Sequence, residues 1–430
     1  MKVLMFGWEF PPHISGGLGT ACYGLTRGLA RIPDIEVLFV VPKAYGDEDK
    51  SEMKLIGANE VTVKQRKAFF EKLAERFSYI EVNSRLMPYK TPEDFQKHVL
   101  DERKKNGLNL EINEQGTINF SGSYGSDLLQ EIRNYALVAG ALAEENSFDV
   151  IHAHDWLAYP AGIAAKEVSG KPLIIHVHAT DFDRSGGSVN PEVFEIEKQG
   201  MEAADRIITV SNLTRQTVIN KYGIEPQKVN TIYNAVEPVR ESPGPKIKKG
   251  VNEKIVTFLG RITMQKGPEF FIEAAHRVLQ KNQNVRFVMA GNGDMMEKMI
   301  RMAARLQITD RFHFTGFLKG QDVFEMLQMS DLYIMPSVSE PFGIVPLEAM
   351  QSDVPVLISN QTGAAEILKY AMKTDYWDVD AMADSINALL NYGGMKEFFV
   401  PNGRKEANSL RWEDSAKEVK KTYDLATSTN

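Results

Sequence analysis

Over the first 230 residues, short apolar or β-branched runs alternate with glycine- or polar-rich turns and stretches of helical period. Residues 3–6 (VLMF) lead into Gly16-Gly17-Leu18-Gly19 and a helix-period segment at 20–30. The runs at 37–41, 150–151, 173–177 and 206–210 are each followed by a segment able to form a helix. Alternation of this kind predicts βαβ crossovers and a parallel sheet covered on both faces.

The pattern then starts again. Residues 236–252 (VEPVRESPGPKIKKGVN) concentrate proline, glycine and charge without an apolar period, as an interdomain linker would. Beyond them come strands at 255–259, 285–290, 312–315, 332–335 and 354–358, and a helix at 268–280. The economical reading is two α/β domains of similar size. The first spans 1–240 together with a last helix at 413–430, and the second spans 241–412. Residues 43–120 show little strand signal and carry two charged amphipathic stretches, 64–78 and 92–105, so they read as an insertion in the first domain.

Composition narrows the class. The 430 residues are 43% hydrophobic and 25% charged, ordinary for a globular chain of two or three domains. A net charge of −7 argues against nucleic-acid binding through bulk charge. Cys22 is the only cysteine, so an internal disulfide and a zinc site built on several cysteines are excluded. The apolar run at the N-terminus is interrupted by Trp8-Glu9, and no stretch approaches the ~18 apolar residues of a membrane span. The expectation is a cytoplasmic protein without a membrane partner; the oligomeric state is not legible.

Three loops carry candidate chemistry. Gly16-Gly17-x-Gly19 follows the first strand. It is either a tight structural turn or a place where backbone amides approach an anion at a helix N-terminus. Gly260-Arg261-x4-Lys266-Gly267 stands at the equivalent point of the second domain. Its two cations suit a diphosphate held from two sides, Arg as a planar fork and Lys as a point charge, although a solvated basic turn has the same composition. The third is the segment 340–348, EPFGIVPLE.

In that segment Pro341 biases Glu340 away from helical geometry, and Pro346 fits only the first turn of the next helix. Glu348 then falls in that turn with Val345 as N-cap, and the amides of Phe342, Gly343 and Ile344 are left to face a ligand. Two carboxylates bracketing such a turn suit sugar hydroxyls, each able to accept two hydrogen bonds. Glu348 could instead serve the helix dipole.

His152-Ala-His154-Asp155-Trp156 and His176-Val-His178 end two strands of the first domain. His152 and His176 read as core or hydrogen-bonding histidines, whereas His154, Asp155 and His178 fall at the carboxyl ends. A metal site is not supported by spacing, and none is expected. The Asp-x-Asp pairs 47/49, 181/183 and 378/380 are too common a pattern to count. Met295, Met296, Met299 and Met302 lie at helical spacing and read as packing.

Together the stretches GWEFPPHISGGLG, HAHDW, HATDFDRSGG, GR-x4-KG, AGNG and EPFGIVPLE, in that order, resemble the retaining GT-B glycosyltransferases of families 4 and 5, with the nearest likeness to glycogen and starch synthases. The resemblance covers most of the chain. It implies two Rossmann-like domains with parallel sheets facing a cleft, and a final helix that returns to the first domain. It also implies a nucleotide-sugar donor held mainly by the second domain and an acceptor by the first, with no cofactor.

Carried over by residue, Arg261 and Lys266 would grip the diphosphate and Glu348 the ribose hydroxyls. Glu340, with the amides of Phe342 and Gly343, would take hydroxyls of the donor sugar. His178 would contact its 6-hydroxyl region beside the reacting carbon, and Asp155 would lie near the acceptor. Gly16 and Gly17 would close over the phosphates, and Gly291 and Gly293 would let the donor approach the backbone. One departure stands out: bacterial glycogen synthases usually have Lys where this chain has Ile14.

The expected reaction moves a hexose, glucose in the first instance, from a UDP- or ADP-sugar to an α-glucan or related carbohydrate. A disaccharide, maltose-1-phosphate or trehalose-type synthase is the alternative within the family. A sugar-nucleotide epimerase or a non-catalytic nucleotide-sugar sensor are the alternatives outside it.

Overall fold

The computed structural model describes residues 1–13, 16–49, 53–62, 113, 115–125, 127–239, 247 and 249–428. They divide into two compact units. One is Met1–Asp181 with Ser188–Tyr233 and Trp412–Asn430; the other is Phe182–Gly187 with Asn234–Arg411.

The first unit holds seven strands: β1 (Lys2–Phe6), β2 (Glu36–Val41), β3 (Lys54–Gly57), β4 (Val150–His154), β5 (Leu173–Val177), β6 (Arg206–Thr209) and β7 (Val229–Thr231). They form one sheet in the order β3-β2-β1-β4-β5-β6-β7, with every pair parallel. β4 and β5 are buried along their whole length, as a central parallel strand covered on both faces must be.

The second unit holds β8 (Lys254–Leu259), β9 (Val285–Ala290), β10 (Phe312–Gly316), β11 (Leu332–Met335), β12 (Val356–Ser359) and β13 (Met372–Thr374). Their order is β10-β9-β8-β11-β12-β13, again all parallel. Phe258, Phe271, Phe287, Met289, Met295 and Met299 share its core, with Met296 and Met302 packed on the edge.

Three strands carry too little sequence signal to predict. β3 lies inside the supposed insertion and has four residues; β7 and β13 have three each. All three sit at sheet edges beside a formed neighbour, which supplies the pairing that their own sequence does not advertise. The two amphipathic stretches at 64–78 and 92–105 lie outside the described residues, as does Ile14. The linker expected at 236–252 is fixed at its start: Val236 is buried and bridged to Arg411, and the Val239 amide donates to Asn408 Oδ1 at 2.9 Å. Residues 240–246 and 248 are outside the described set.

The last helix, Trp412–Thr427, belongs to the first unit and packs on the helix Gly17–Ala30. Gly24 and Gly28 make this possible. A Cβ on Gly24 would stand 2.2 Å from the Trp412 ring, and one on Gly28 2.6 Å from the Trp412 carbonyl oxygen. Among the described residues no helix is long and apolar enough to cross a membrane.

Candidate active site

In each sheet the chain runs outward from its first strand, then returns to the other side of it. Helices after the first and fourth strands therefore leave on opposite faces, and a crevice opens at their carboxyl ends. In the second unit those ends belong to β8 and β11.

β8 is followed by Gly260 and the half-buried Arg261, and a short 3-10 turn at Met264–Lys266 brings in the second cation. β11 is followed by residues 336–340. The two loops are joined directly. The Val338 amide donates to the Gln265 carbonyl at 2.9 Å, and a Cβ on Gly267 (φ +65°) would stand 2.0 Å from the Pro336 carbonyl oxygen. That contact explains glycine after Lys266: any side chain would push the loops apart. Lys266 Nζ is consequently ion-paired with Glu340.

Glu340 is buried and fixed from a third side. Its amide donates to the Gln361 carbonyl at 3.0 Å, and its carbonyl accepts from Gly363 at 2.8 Å. Phe342 is buried beneath the turn, and its carbonyl accepts from Ala364 at 2.8 Å. The Gly343 and Ile344 amides donate no hydrogen bond among the described residues. The following helix is Val345–Gln351 with Pro346 in its first turn, and its N-cap is Ile344 rather than Val345. Neither side chain can cap, so backbone amides there are left for another acceptor.

Glu348 stands in that first turn. The residue keeps some solvent contact, but burial of its carboxyl, with no hydrogen-bond donor among the described residues, pushes its pKa up to about 7. Tyr333 on β11 lies near both carboxylates: burial raises its phenol, and the charges of Glu340 and Glu348 raise it further. Gly291 and Gly293 stand in the loop after β9. A Cβ on Gly291 would be 1.8 Å from the Gly260 carbonyl oxygen, and one on Gly293 2.3 Å from that of Ile262. Their first role is thus to let two backbone segments touch and hold the Gly260–Arg261 turn in place.

In the first unit the corresponding strands are β1 and β4. The loop after β1 ends at Gly16, which precedes the helix Gly17–Ala30; no atom lies within 4 Å of a Cβ built on Gly16 or Gly17. β4 ends in His154, and Asp155 follows at φ +62°, a left-handed conformation that a non-glycine residue adopts at a cost of roughly 1 kcal/mol. The turn is held by the Asp155 amide donating to the His176 carbonyl at 2.9 Å.

His152, His154, His176 and His178 line one face of β4 and β5 as a two-by-two array. The pairs along each strand stack at 4.2 and 4.3 Å between ring centroids. Across the strands His152 Nε2 lies 3.3 Å from His176 Nδ1, and His154 Nδ1 lies 3.0 Å from His178 Nε2. His152 Nδ1 meets Tyr423 Oη of the last helix at 2.6 Å. Burial, with the neighbouring rings adding to it, holds His152, His154 and His176 well below the usual imidazole range, and burial takes His178 to about 3.

Among the described residues three sets of side chains are close enough to share an ion, His152/His154/His176, Cys22/His154/His178 and His13/Asp47/Glu48. In the first, His152 Nε2 is spent on His176 Nδ1, and in the second His154 Nδ1 is spent on His178 Nε2. The Asp-x-Asp pairs are similarly occupied. Asp47 bonds His13, Asp49 bonds Tyr23, and Asp181 accepts from the Asn190 amide. Asp183 accepts from Ser339, Asp378 caps a helix, and Asp380 pairs with Arg277.

Residues 111–240 match the Glycosyltransferase Family 4 family, and residues 240–406 match the Glycosyl transferases group 1 family. The chain is a GT-B glycosyltransferase of families 4 and 5. It is 27% identical to an uncharacterized glycosyltransferase of Methanocaldococcus jannaschii over 99% of this chain and 98% of that one. To a D-inositol 3-phosphate glycosyltransferase of Kribbella flavida it is 28% identical, over 68% and 75%. To a glycogen synthase of Mycobacterium tuberculosis it is 23% identical, over 91% and 86%.

Among solved structures, sucrose-phosphate synthase from Thermosynechococcus elongatus has the same fold, with a TM-score of 0.71 at 15% identity over the whole of both chains. Anabaena HepE in complex with UDP and glucose follows at 0.66 and 16%, over 99% of this chain and 100% of that one.

Within this glycosyltransferase the second-unit half of the predicted set, Arg261, Lys266, Glu340, Phe342, Gly343, Ile344 and Glu348, gathers around β8 and β11. Asp155 and His178 stand together at β4 and β5, and Gly16 and Gly17 open the helix after β1. Sequence reasoning missed Tyr423 and Cys22 beside the histidines and Tyr333 beside the carboxylates. Tyr423 and Cys22 meet the histidines from far away in the chain, and Tyr333 belongs to the apolar run of β11, where nothing in the sequence marks it as a neighbour of the carboxylates.

Proposed function

We propose that this glycosyltransferase is a retaining hexosyltransferase that moves glucose from a UDP- or ADP-sugar to an α-glucan or related carbohydrate acceptor. The observation that carries the reading is the union of the Arg261–Lys266 loop with the Glu340–Glu348 segment at the carboxyl ends of β8 and β11. Cations for a diphosphate and carboxylates for hydroxyls meet there on one fixed frame.

Arg261 and Lys266 stabilise charge on the departing diphosphate without a metal, acting where the charge develops. Glu348 binds the ribose diol, and Glu340 with the Phe342, Gly343 and Ile344 amides binds the hexose hydroxyls. His178 addresses the 6-hydroxyl region, and Asp155 serves the acceptor. Gly16 and Gly17 offer their amides to the phosphates, while Gly291 and Gly293 keep the donor loop close. The C1–O bond breaks with oxocarbenium character. The acceptor oxygen attacks from the face the diphosphate leaves, and a phosphate oxygen takes its proton.

Support for a glucose donor and glucan acceptor comes from the glycogen synthase relative, matched over 91% of this chain, and from HepE, whose structure holds UDP and glucose. The D-inositol 3-phosphate glycosyltransferase relative supports a second reading, a phosphorylated polyol acceptor. A panel of acceptors with UDP-glucose and ADP-glucose separates the two. NMR of the product then reads its anomeric configuration, and an inverted product would end the retaining assignment.

A further inference from the structure

The histidine array of the first unit holds more information than its distances. Burial keeps all four rings neutral, so each carries a single N–H. His154 Nε2 and His176 Nε2 are buried and have no hydrogen-bond partner among the described residues. An orphaned N–H in a protein interior is rarer than an acceptor lacking a donor, so these two atoms are the lone pairs. The proton of His154 is then on Nδ1, which donates to His178 Nε2 at 3.0 Å. By the same count His176 Nδ1 donates to His152 Nε2 at 3.3 Å, and His152 Nδ1 to Tyr423 Oη at 2.6 Å.

We propose that His154 is a positioning residue that fixes His178 as its Nδ1–H tautomer, so that this half-buried ring offers a donor rather than an acceptor to an oxygen of the bound sugar. The tautomer follows from the array alone; the sugar contact rests on the function proposed above. With the opposite tautomer His178 Nε2–H would donate to His154 Nδ1, leaving an N–H buried and unpaired at His154 Nε2. The orphan nitrogens thus select one direction for the hydrogen bond. Only His178 among the four keeps solvent contact, and its Nδ1 has no partner among the described residues. The direction set inside the core is therefore expressed at the surface.

The test is 15N NMR of the imidazoles in the full-length protein, with His154→Leu and His154→Asn beside the wild type. The Asn amide nitrogen stands close to where Nδ1 stood and still donates. Wild type is expected to carry the His178 proton on Nδ1. His154→Leu should move it toward Nε2 and lower kcat/KM for sugar transfer about tenfold, a usual loss for a group that orients a site residue. His154→Asn should restore both.

A wild-type His178 protonated on Nε2 would overturn the proposal. So would an unchanged tautomer in His154→Leu, or equal losses in the Leu and Asn variants with thermal melting intact. The tautomer is read without substrate, so failure to transfer sugar to any acceptor would count against the proposed function and not against the histidine pair.

Discussion

Lys266 and Glu340 are ion-paired across the two loops that leave β8 and β11. Each is assigned to a different part of the donor, the ammonium to the diphosphate and the carboxylate to sugar hydroxyls. The ion pair satisfies each charge with the other and fixes the lysine against the second loop. On the function proposed above, donor binding would replace this one attractive contact by two.

Replacing Lys266 by Met keeps the side chain's length and removes its charge. The expected loss in kcat/KM is 10²-fold or more, the scale of removing a preorganised electrostatic contact to the leaving group. Glu340 also loses its partner, so stability should fall by about 1–3 kcal/mol. Steady-state kinetics beside urea unfolding checks both. Turnover within threefold of wild type would remove Lys266 from the diphosphate.

Glu348 makes a pH prediction. Its pKa of about 7 in the folded chain lies above the ordinary 4.5, so the unfolded chain loses this proton first as pH rises. The residue's contribution to stability is present below about pH 4.5 and lost as pH rises through about 7. Glu348→Gln should therefore melt higher than wild type at pH 8 and alike at pH 4, with a gain of at most about 3 kcal/mol. A carboxylate that accepts from the ribose diol must be ionised, so affinity for UDP-glucose should rise between pH 6 and 8 and be pH-flat in the variant. Calorimetry showing the same pH slope in both proteins would contradict the ribose role.

The buried histidines act in the opposite direction. Their pKa values are depressed when folded, so the stability tied to their neutral state is present above about pH 6.5. It is lost as pH falls, for His178 down to about 3. Each contributes a slope of up to about 1.4 kcal/mol per pH unit in that window. Urea midpoints should drop steadily from pH 7 to pH 5, and a flat profile would mean that the array takes up protons while folded.

How much of this was legible in the chain follows from sequence distance. The β8–turn–helix order and the Pro341 and Pro346 constraints act within a few residues, so the Gly260–Gly267 loop and the 340–348 segment could be located from sequence alone. The edge strands β3, β7 and β13 could not, because three or four residues become a strand only through a neighbour. The histidine pairing required β4 and β5 in register, with His154 opposite His176. Tyr423 reaches His152 across 271 positions, which no motif spacing encodes. The resemblance gives Gly291 and Gly293 a role in donor approach; that their nearest neighbours are backbone carbonyls of the Gly260–Ile262 turn is visible only in the fold.

Gly267→Ala tests whether loop contact, rather than composition, builds the site. With φ +65° and a carbonyl oxygen 2.0 Å from the added Cβ, it should cost about 2–4 kcal/mol and separate Lys266 from Glu340. Thermal melting within 1 °C of wild type, which corresponds to a few tenths of a kcal/mol, would show that the two loops are not in contact.

Transfer of a hexose from a nucleotide-sugar held by Arg261, Lys266, Glu340 and Glu348 is what separates the proposed function from an epimerase or a sensor. The most direct measurement is nucleotide release from UDP-, ADP- and GDP-glucose with glycogen, maltose, glucose, glucose-1-phosphate or an inositol phosphate as acceptor, run beside Arg261→Ala. The expected result is acceptor-dependent release of UDP or ADP that falls by 10²-fold or more in the variant. Tight donor binding with no release for any acceptor, or release that Arg261→Ala leaves unchanged, would contradict it.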